Sequence, residues 1–276
     1  MFGKGYFDST NTKLGGEIRD RYEADPVDLT DIVGFYNVDL MEDPEAEGEI
    51  LENIIGWPGQ DLYPSSNGTI NGYDGKNADP WQPSYLSFVQ EYMGSWDPTG
   101  FEGATYLNLS NDFTISTWIY LNVDPTNPTS TMGSVILGVG QIDSGGIGLS
   151  VNSNSKIQLH SKFDGIHSLI NISSSDVPAQ KWCHLTITKN SEQVDFYLNG
   201  GYAGIANDAF LMLGLSQNGN LELGRRTNSN DNYTYASSSL RFGSLALYSR
   251  RLLNSEIRQN FLFRNPWYQG EGKDQI

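Results

Sequence analysis

The sequence predicts an all-β sandwich, and three observations predict it. Short β-prone runs recur after residue 83 at the spacing typical of sandwich strands. Gly, Asn, Ser and Pro separate those runs, and a helical pattern appears only once, after residue 253. Charged residues make up only 18% of the 276-residue chain against 38% apolar, so Gly, Ser, Thr and Asn must cover much of the surface. The length suits one large all-β domain or two small ones, with a sizeable core.

Residues 1–30 mix Gly, Asp, Thr and Arg without either hydrophobic period and read as an extended arm of the kind that docks onto neighbours. The domain proper runs over 31–265, and its first strand is expected at 34–40. The carboxylates of 42–49 crowd too densely to be buried. Pro58-Gly59, Asn67-Gly68, Asn71-Gly72 and Asp74-Gly75 then mark one turn after another, so 41–83 is a long acidic, turn-rich, loop-dominated insertion.

In Phe113–Leu121 the odd positions are apolar, apart from Thr117, while Thr114 and Ser116 face away, a period of two. Trp118 and Tyr120 make its second face partly apolar. Residues 181–188 place Cys183, Leu185 and Ile187 toward the core and His184, Thr186 and Thr188 opposite. Val194–Leu198 alternates again and runs into Asn199-Gly200-Gly201, a hairpin turn whose residues tolerate positive φ. Leu240–Tyr248 is a strand whose phase slips at Gly243, as a bulge produces. One short C-terminal helix follows, with Asn254 as N-cap and 255–261 as its body, and residues 266–276 form a tail.

The balance of 17 basic against 33 acidic residues, net −16, argues against nucleic acid or an anionic membrane as partner and leaves cation binding open. Residues 225–264 depart from it: seven arginines against Asp231 and Glu256 give a local net of about +5. The basic C-terminal region could pair with the acidic run at 42–52, either between subunits of a homo-oligomer or within one chain. Cys183 is the single cysteine and forms no intramolecular disulfide. Residues 1–7 lack the apolar run of a signal peptide, and no stretch has the roughly 18 apolar residues of a membrane span. The expectation is a product made in a host cytoplasm, without membrane insertion or ordinary export.

Five ordered segments over about 110–260 resemble the laminin-G-like branch of the concanavalin A-like lectin/glucanase sandwiches. They are 112–119, 182–186, 194–200, 221–224, and 242–250 with Leu253, Glu256 and Ile257. Residues 34–36 and 85–88 resemble strands that precede these in the family. The resemblance implies a two-sheet antiparallel jelly roll with rim loops and a concave binding face. The tail, 262–267, is similar to the ending of many laminin-G-like proteins of bacteriophages and prophages.

Together these features imply a non-enzymatic bacteriophage virion protein: a capsid decoration, collar, tail or fibre component that presents a lectin-like sandwich for contact with host-surface glycans. Its partners would be other virion proteins, met through the arm and tail. Lys4, Tyr6, Phe7, Arg19, Arg21, Arg250, Arg251 and Trp267 are the candidate assembly contacts. A soluble carbohydrate-binding lectin is the alternative, and a polysaccharide-degrading enzyme the second. Glycosidases of this superfamily need two carboxylates about 5–9 Å apart. No single strand offers such a pair, since Asp195 and Glu222 are each the one acid of their strand.

No cofactor is required. Calcium is the cation that rim-loop oxygens would suit, with Asp143, Asp164 and Asp231 as candidate ligands, although Asp and Asn also simply form turns. Trp81, Trp96, Tyr233 and Tyr235 are candidate glycan-stacking aromatics in turn-rich segments. His184 reads as structural, and His160 and His167 as a surface pair on a hairpin turning at 163–165.

Overall fold

A computed structural model of the chain describes residues 31–37, 51, 53, 61–64, 73–74, 85–87, 101–105, 107–121, 134–141, 145–152, 154–163, 166–171, 175–191, 193–206, 220–227, 233–235 and 240–268. In chain order its strands are β1 (Ile32–Asn37), β2 (Tyr63–Pro64), β3 (Tyr73–Asp74), β4 (Tyr85–Ser87), β5 (Phe101–Ala104), β6 (Phe113–Leu121), β7 (Ser134–Val139), β8 (Ile147–Val151) and β9 (Ile157–Phe163). The remaining strands are β10 (Ile166–Asn171), β11 (Trp182–Lys189), β12 (Val194–Leu198), β13 (Gly201–Ala206), β14 (Asn220–Leu223), β15 (Arg225–Thr227), β16 (Tyr233–Tyr235) and β17 (Leu240–Tyr248), and one helix, α1 (Asn254–Tyr268), closes the described chain.

Two antiparallel sheets make the sandwich. One runs β13-β12-β11-β6-β17-β4-β3, with β1 also paired to β17; the other runs β10-β9-β8-β7-β14-β5-β2. The period-two runs explain the layering, because each sends alternate side chains into one core. Phe113, Ile115 and Ile119 of β6 and Val194 and Phe196 of β12 meet Leu149, Leu159 and Leu221 of the facing sheet there. Cys183 joins them, fully buried. The phase slip at Gly243 is a bulge: Phe242 pairs with Ile119 and Ser244 with Trp118, leaving Gly243 over. Asn199 and Gly200, at φ 51° and 72°, form the two-residue turn joining β12 to β13.

Two expectations change. The segment 41–83 is more than loop surface: Leu51 and Leu62 exchange backbone hydrogen bonds and are buried in the core, while β2 and β3 extend the sheets. Leu253, not Asn254, caps α1. Its carbonyl accepts from the Ile257 N–H at 3.0 Å, and its own N–H donates to Glu256 Oε2 at 2.5 Å, the return arm of a capping box. The Asn254 side chain instead accepts the Tyr197 hydroxyl at 2.6 Å. The helix also continues past residue 265 to Tyr268, two residues beyond Pro266.

Burial pushes the Cys183 thiol up to about 12 from an ordinary 9.0. A thiol held protonated in the folded chain stabilises it fully below pH 9, and that contribution is lost as pH rises from 9 to about 12. Cys183 is therefore expected to resist a thiol reagent in the native chain and to label only on unfolding. Unfolding midpoints should fall above pH 9, and a Cys183→Ala variant should fall less steeply.

Candidate functional site

The same alternation that fills the core decides what lies on the outer face of the seven-stranded sheet. In β7, β8, β9 and β14, the residues Leu137, Ile147, Leu149, Leu159, Leu221 and Leu223 point inward. The positions between them, Gly138, Gly148, Ser150, Gln158, His160 and Glu222, therefore face out. Register aligns several in one row: Glu222 opposite Gly138, Gly138 opposite Gly148, and Gly148 opposite His160. Two glycines thus leave bare backbone between a carboxylate and an imidazole, which stand three strand spacings, about 14 Å, apart. Glycine inside a strand marks a place where another group can approach the backbone closely.

His160 is bound to its neighbour: its Nε2 lies 3.1 Å from Ser150 Oγ. Ser150, Gln158, His160 and Glu222 are all buried, so this is a polar layer and not a wet surface. On the far side of Glu222 the register places Glu102 of β5 directly opposite it. The hairpin β15–β16 packs beside β7 and pairs Arg225 with Tyr235 and Thr227 with Tyr233.

Over β6 and β11 the outer face of the eight-stranded sheet is covered by α1. Ser116 Oγ lies 2.8 Å from His184 Nε2 and 3.1 Å from Thr186 Oγ1. The rings of Trp118, His184 and Phe261 of α1 form one cluster, with centroids 5.1 Å from Trp118 to His184, 5.8 Å from Trp118 to Phe261 and 6.1 Å from His184 to Phe261. Thr114 anchors the approach to the helix by donating to the Arg250 carbonyl at 2.8 Å and accepting from the Leu252 N–H at 2.9 Å. Ile257 and Leu252 pack with Tyr248 and Ile32. Burial, then the neighbouring Asp195 charge, raise the Tyr197 hydroxyl above its ordinary 10.0, against the lowering effect of Arg251.

Of the residues singled out from sequence, Asp143, Asp164, Asp231, Trp81, Trp96, Lys4, Tyr6, Phe7, Arg19 and Arg21 lie outside the described residues. Tyr233 and Tyr235 fall on β16, in the hairpin packed beside β7, and Trp267 in the last turn of α1. Arg250 donates to both oxygens of Glu256, at 2.8 and 3.0 Å, and Arg251 pairs with Asp195, so both arginines have partners within the chain. Among the described residues no cluster of three or more His, Cys, Asp or Glu forms. His184 is structural, buried between Ser116 and the aromatic rings. His160, read from sequence as part of a surface pair, is buried, because its strand faces the polar layer and not solvent. It and His167 do occupy the two strands of one hairpin, with His167 opposite Lys162 and His160 opposite Leu169. The sequence reading missed that the register sets Glu102 opposite Glu222, since the two acids lie on strands far apart in the chain.

A family model described as the Concanavalin A-like lectin/glucanases superfamily matches residues 100–258. No curated protein matches the sequence. Among solved structures, the fold is similar to that of Trypanosoma rangeli sialidase in complex with sialic acid, at TM-score 0.58 and 18% identity over 87% of this chain and 34% of that one. It is also similar to the binding domain of botulinum neurotoxin DC in complex with rat synaptotagmin II, at TM-score 0.57 and 15% identity over 86% of this chain and 52% of that one. The chain spans about a third of the sialidase and half of the toxin domain.

Proposed function

The chain belongs to the concanavalin A-like lectin/glucanases superfamily, and on that footing we propose that it is a non-enzymatic structural protein of a bacteriophage virion. Its lectin-like sandwich would meet surface glycans through the β15–β16 hairpin. Among the described residues neither main sheet offers an open polar face: α1 lies over Trp118 and His184 of one, and Ser150, Gln158, His160 and Glu222 of the other are buried. The observation that carries the choice of site is the hairpin itself, a two-stranded sheet outside both main sheets that packs beside β7 and sets Tyr235 in register with Arg225 and Tyr233 with Thr227. Aromatic residues that stack on sugar rings, beside hydrogen-bonding groups, are what hydroxyl-rich ligands are recognised by. The virion context rests on the unpatterned 1–30 segment and on the likeness of 262–267 to phage proteins.

The test is a glycan array probed with the full chain and with Tyr233→Ala/Tyr235→Ala, which removes both rings. Wild-type chain should bind a defined set of glycans, and the variant, equally stable, should bind them at least about tenfold more weakly, as expected for loss of aromatic stacking. Equal binding by a folded variant would place recognition elsewhere.

One observation favours a second reading. Glu102 and Glu222 occupy opposite positions on adjacent strands, and paired carboxylates are the machinery of glycoside cleavage. Release of reducing sugar from an array-positive glycan, abolished in Glu222→Gln, would establish that reading over the non-enzymatic one.

A further inference from the structure

We propose that β13, the last strand of the eight-stranded sheet, is a self-association edge on which a second copy of this chain lays its own β13 in antiparallel register. Among the described residues no strand pairs with the far side of β13. An open strand edge presents a row of backbone donors and acceptors that another strand can satisfy, and proteins that must stay monomeric blunt such edges with charge or proline. Gly201-Tyr202-Ala203-Gly204-Ile205-Ala206 contains neither.

The strand also exposes apolar side chains on one face. Tyr202 pairs in register with Tyr197, and Ile205 with Asp195, so both lie on the α1 side of the sheet. They are 56% and 47% exposed, and Leu253 at the head of α1 is 66% exposed. The helix seats Phe261 against Trp118 and His184 of β6 and β11, which leaves β13 uncovered. Tyr202 is held ready as an anchor, its ring edge-on to Tyr197 at 5.7 Å, and the Tyr197 hydroxyl is in turn tied to Asn254.

Geometry and charge select a second copy as the occupant. Antiparallel pairing of identical strands places a two-fold axis perpendicular to the joined sheet, so both α1 helices stand on one face. The two uncovered strips then merge into a single groove between the helices, filled by Tyr202 and Ile205 from each copy. A chain of net −16 resists meeting itself over most of its surface. At β13 the approach brings together six uncharged residues, and among the described residues the one charge in register with the strand, Asp195 opposite Ile205, is already paired with Arg251. The same two-fold directs both seven-stranded sheets to one side of the dimer.

Sedimentation velocity on the full chain at tens of micromolar should give a species of twice the 30.6 kDa chain mass. Tyr202→Lys/Ile205→Lys should remain folded by circular dichroism and dissociate at least about 100-fold more readily. A monomeric wild-type chain, or a folded double variant that dimerises as well as wild type, would overturn the proposal. Should the variant fail to fold, hydrogen exchange on wild-type chain decides: β13 amides are expected to lose protection on dilution, and exchange independent of concentration would overturn it. None of these readouts depends on glycan binding.

Discussion

Trp118→Ala is expected to destabilise the chain by about 4 kcal/mol, in the range for truncating a buried aromatic. Trp118 is only 2% exposed although it stands on the outer face of its sheet. What covers it is α1: Phe261 stacks on it at 5.8 Å, and His184 packs beside both rings, 5.1 Å from the indole. The indole is therefore the surface on which the helix sits, and its loss leaves both a cavity and an unseated Phe261. Gly200 belongs to the same arrangement. A Cβ there would lie 3.1 Å from Phe261, at a φ of +72°. Denaturant unfolding should show a lower midpoint, with Trp118→Phe retaining most of the stability. A loss under about 1 kcal/mol would mean that the helix is not seated on this ring.

Arg251→Met is expected to cost about 2–3 kcal/mol. Its partner Asp195 has a side chain only 3% exposed, so removing the guanidinium strands a carboxylate that water cannot reach. The Gln193 amide, 2.9 and 3.0 Å from the two carboxylate oxygens, remains as a donor but carries no charge. Breaking a fully buried pair costs about 3–5 kcal/mol. The Arg251 side chain is 33% exposed, and solvent screening there places this pair at or below the lower end. The sign of the double variant separates this account from simple loss of packing. Arg251→Met/Asp195→Leu removes the stranded charge and should recover most of the loss, giving a coupling of about 2 kcal/mol in a double-mutant cycle. Additive losses would contradict it.

The strands Phe113–Leu121, Val194–Leu198 and Leu240–Tyr248 were legible in the sequence to the residue, because each has one face in the core and writes that face in apolar residues at period two. Gly243 was legible as a bulge for the same reason: an extra residue breaks the phase. The start of α1 was not. Asn254 is the better capping residue by propensity, but Tyr197, 57 residues earlier, claims its side chain, and Glu256 caps from inside the helix. The pairing of Leu51 with Leu62 was hidden because single core residues in a turn-rich segment carry no period.

The polar row is the clearest case of information that no local pattern holds. Glu222 and Glu102 become neighbours only through the register of β14 on β5, which joins positions 120 residues apart. His160 looked like a surface residue because its strand alternates polar with apolar. That pattern shows which side faces away from the core, and it does not show that the other side is buried as well.

The proposal that this chain is a virion-borne recognition module is open to a co-sedimentation test. Full-length chain and a version lacking residues 1–30 would each be mixed with particles from a phage lysate and pelleted. The full chain is expected to pellet with the particles, while the shortened one stays folded in the supernatant. Full-length chain that remains soluble and never joins a particle would contradict it.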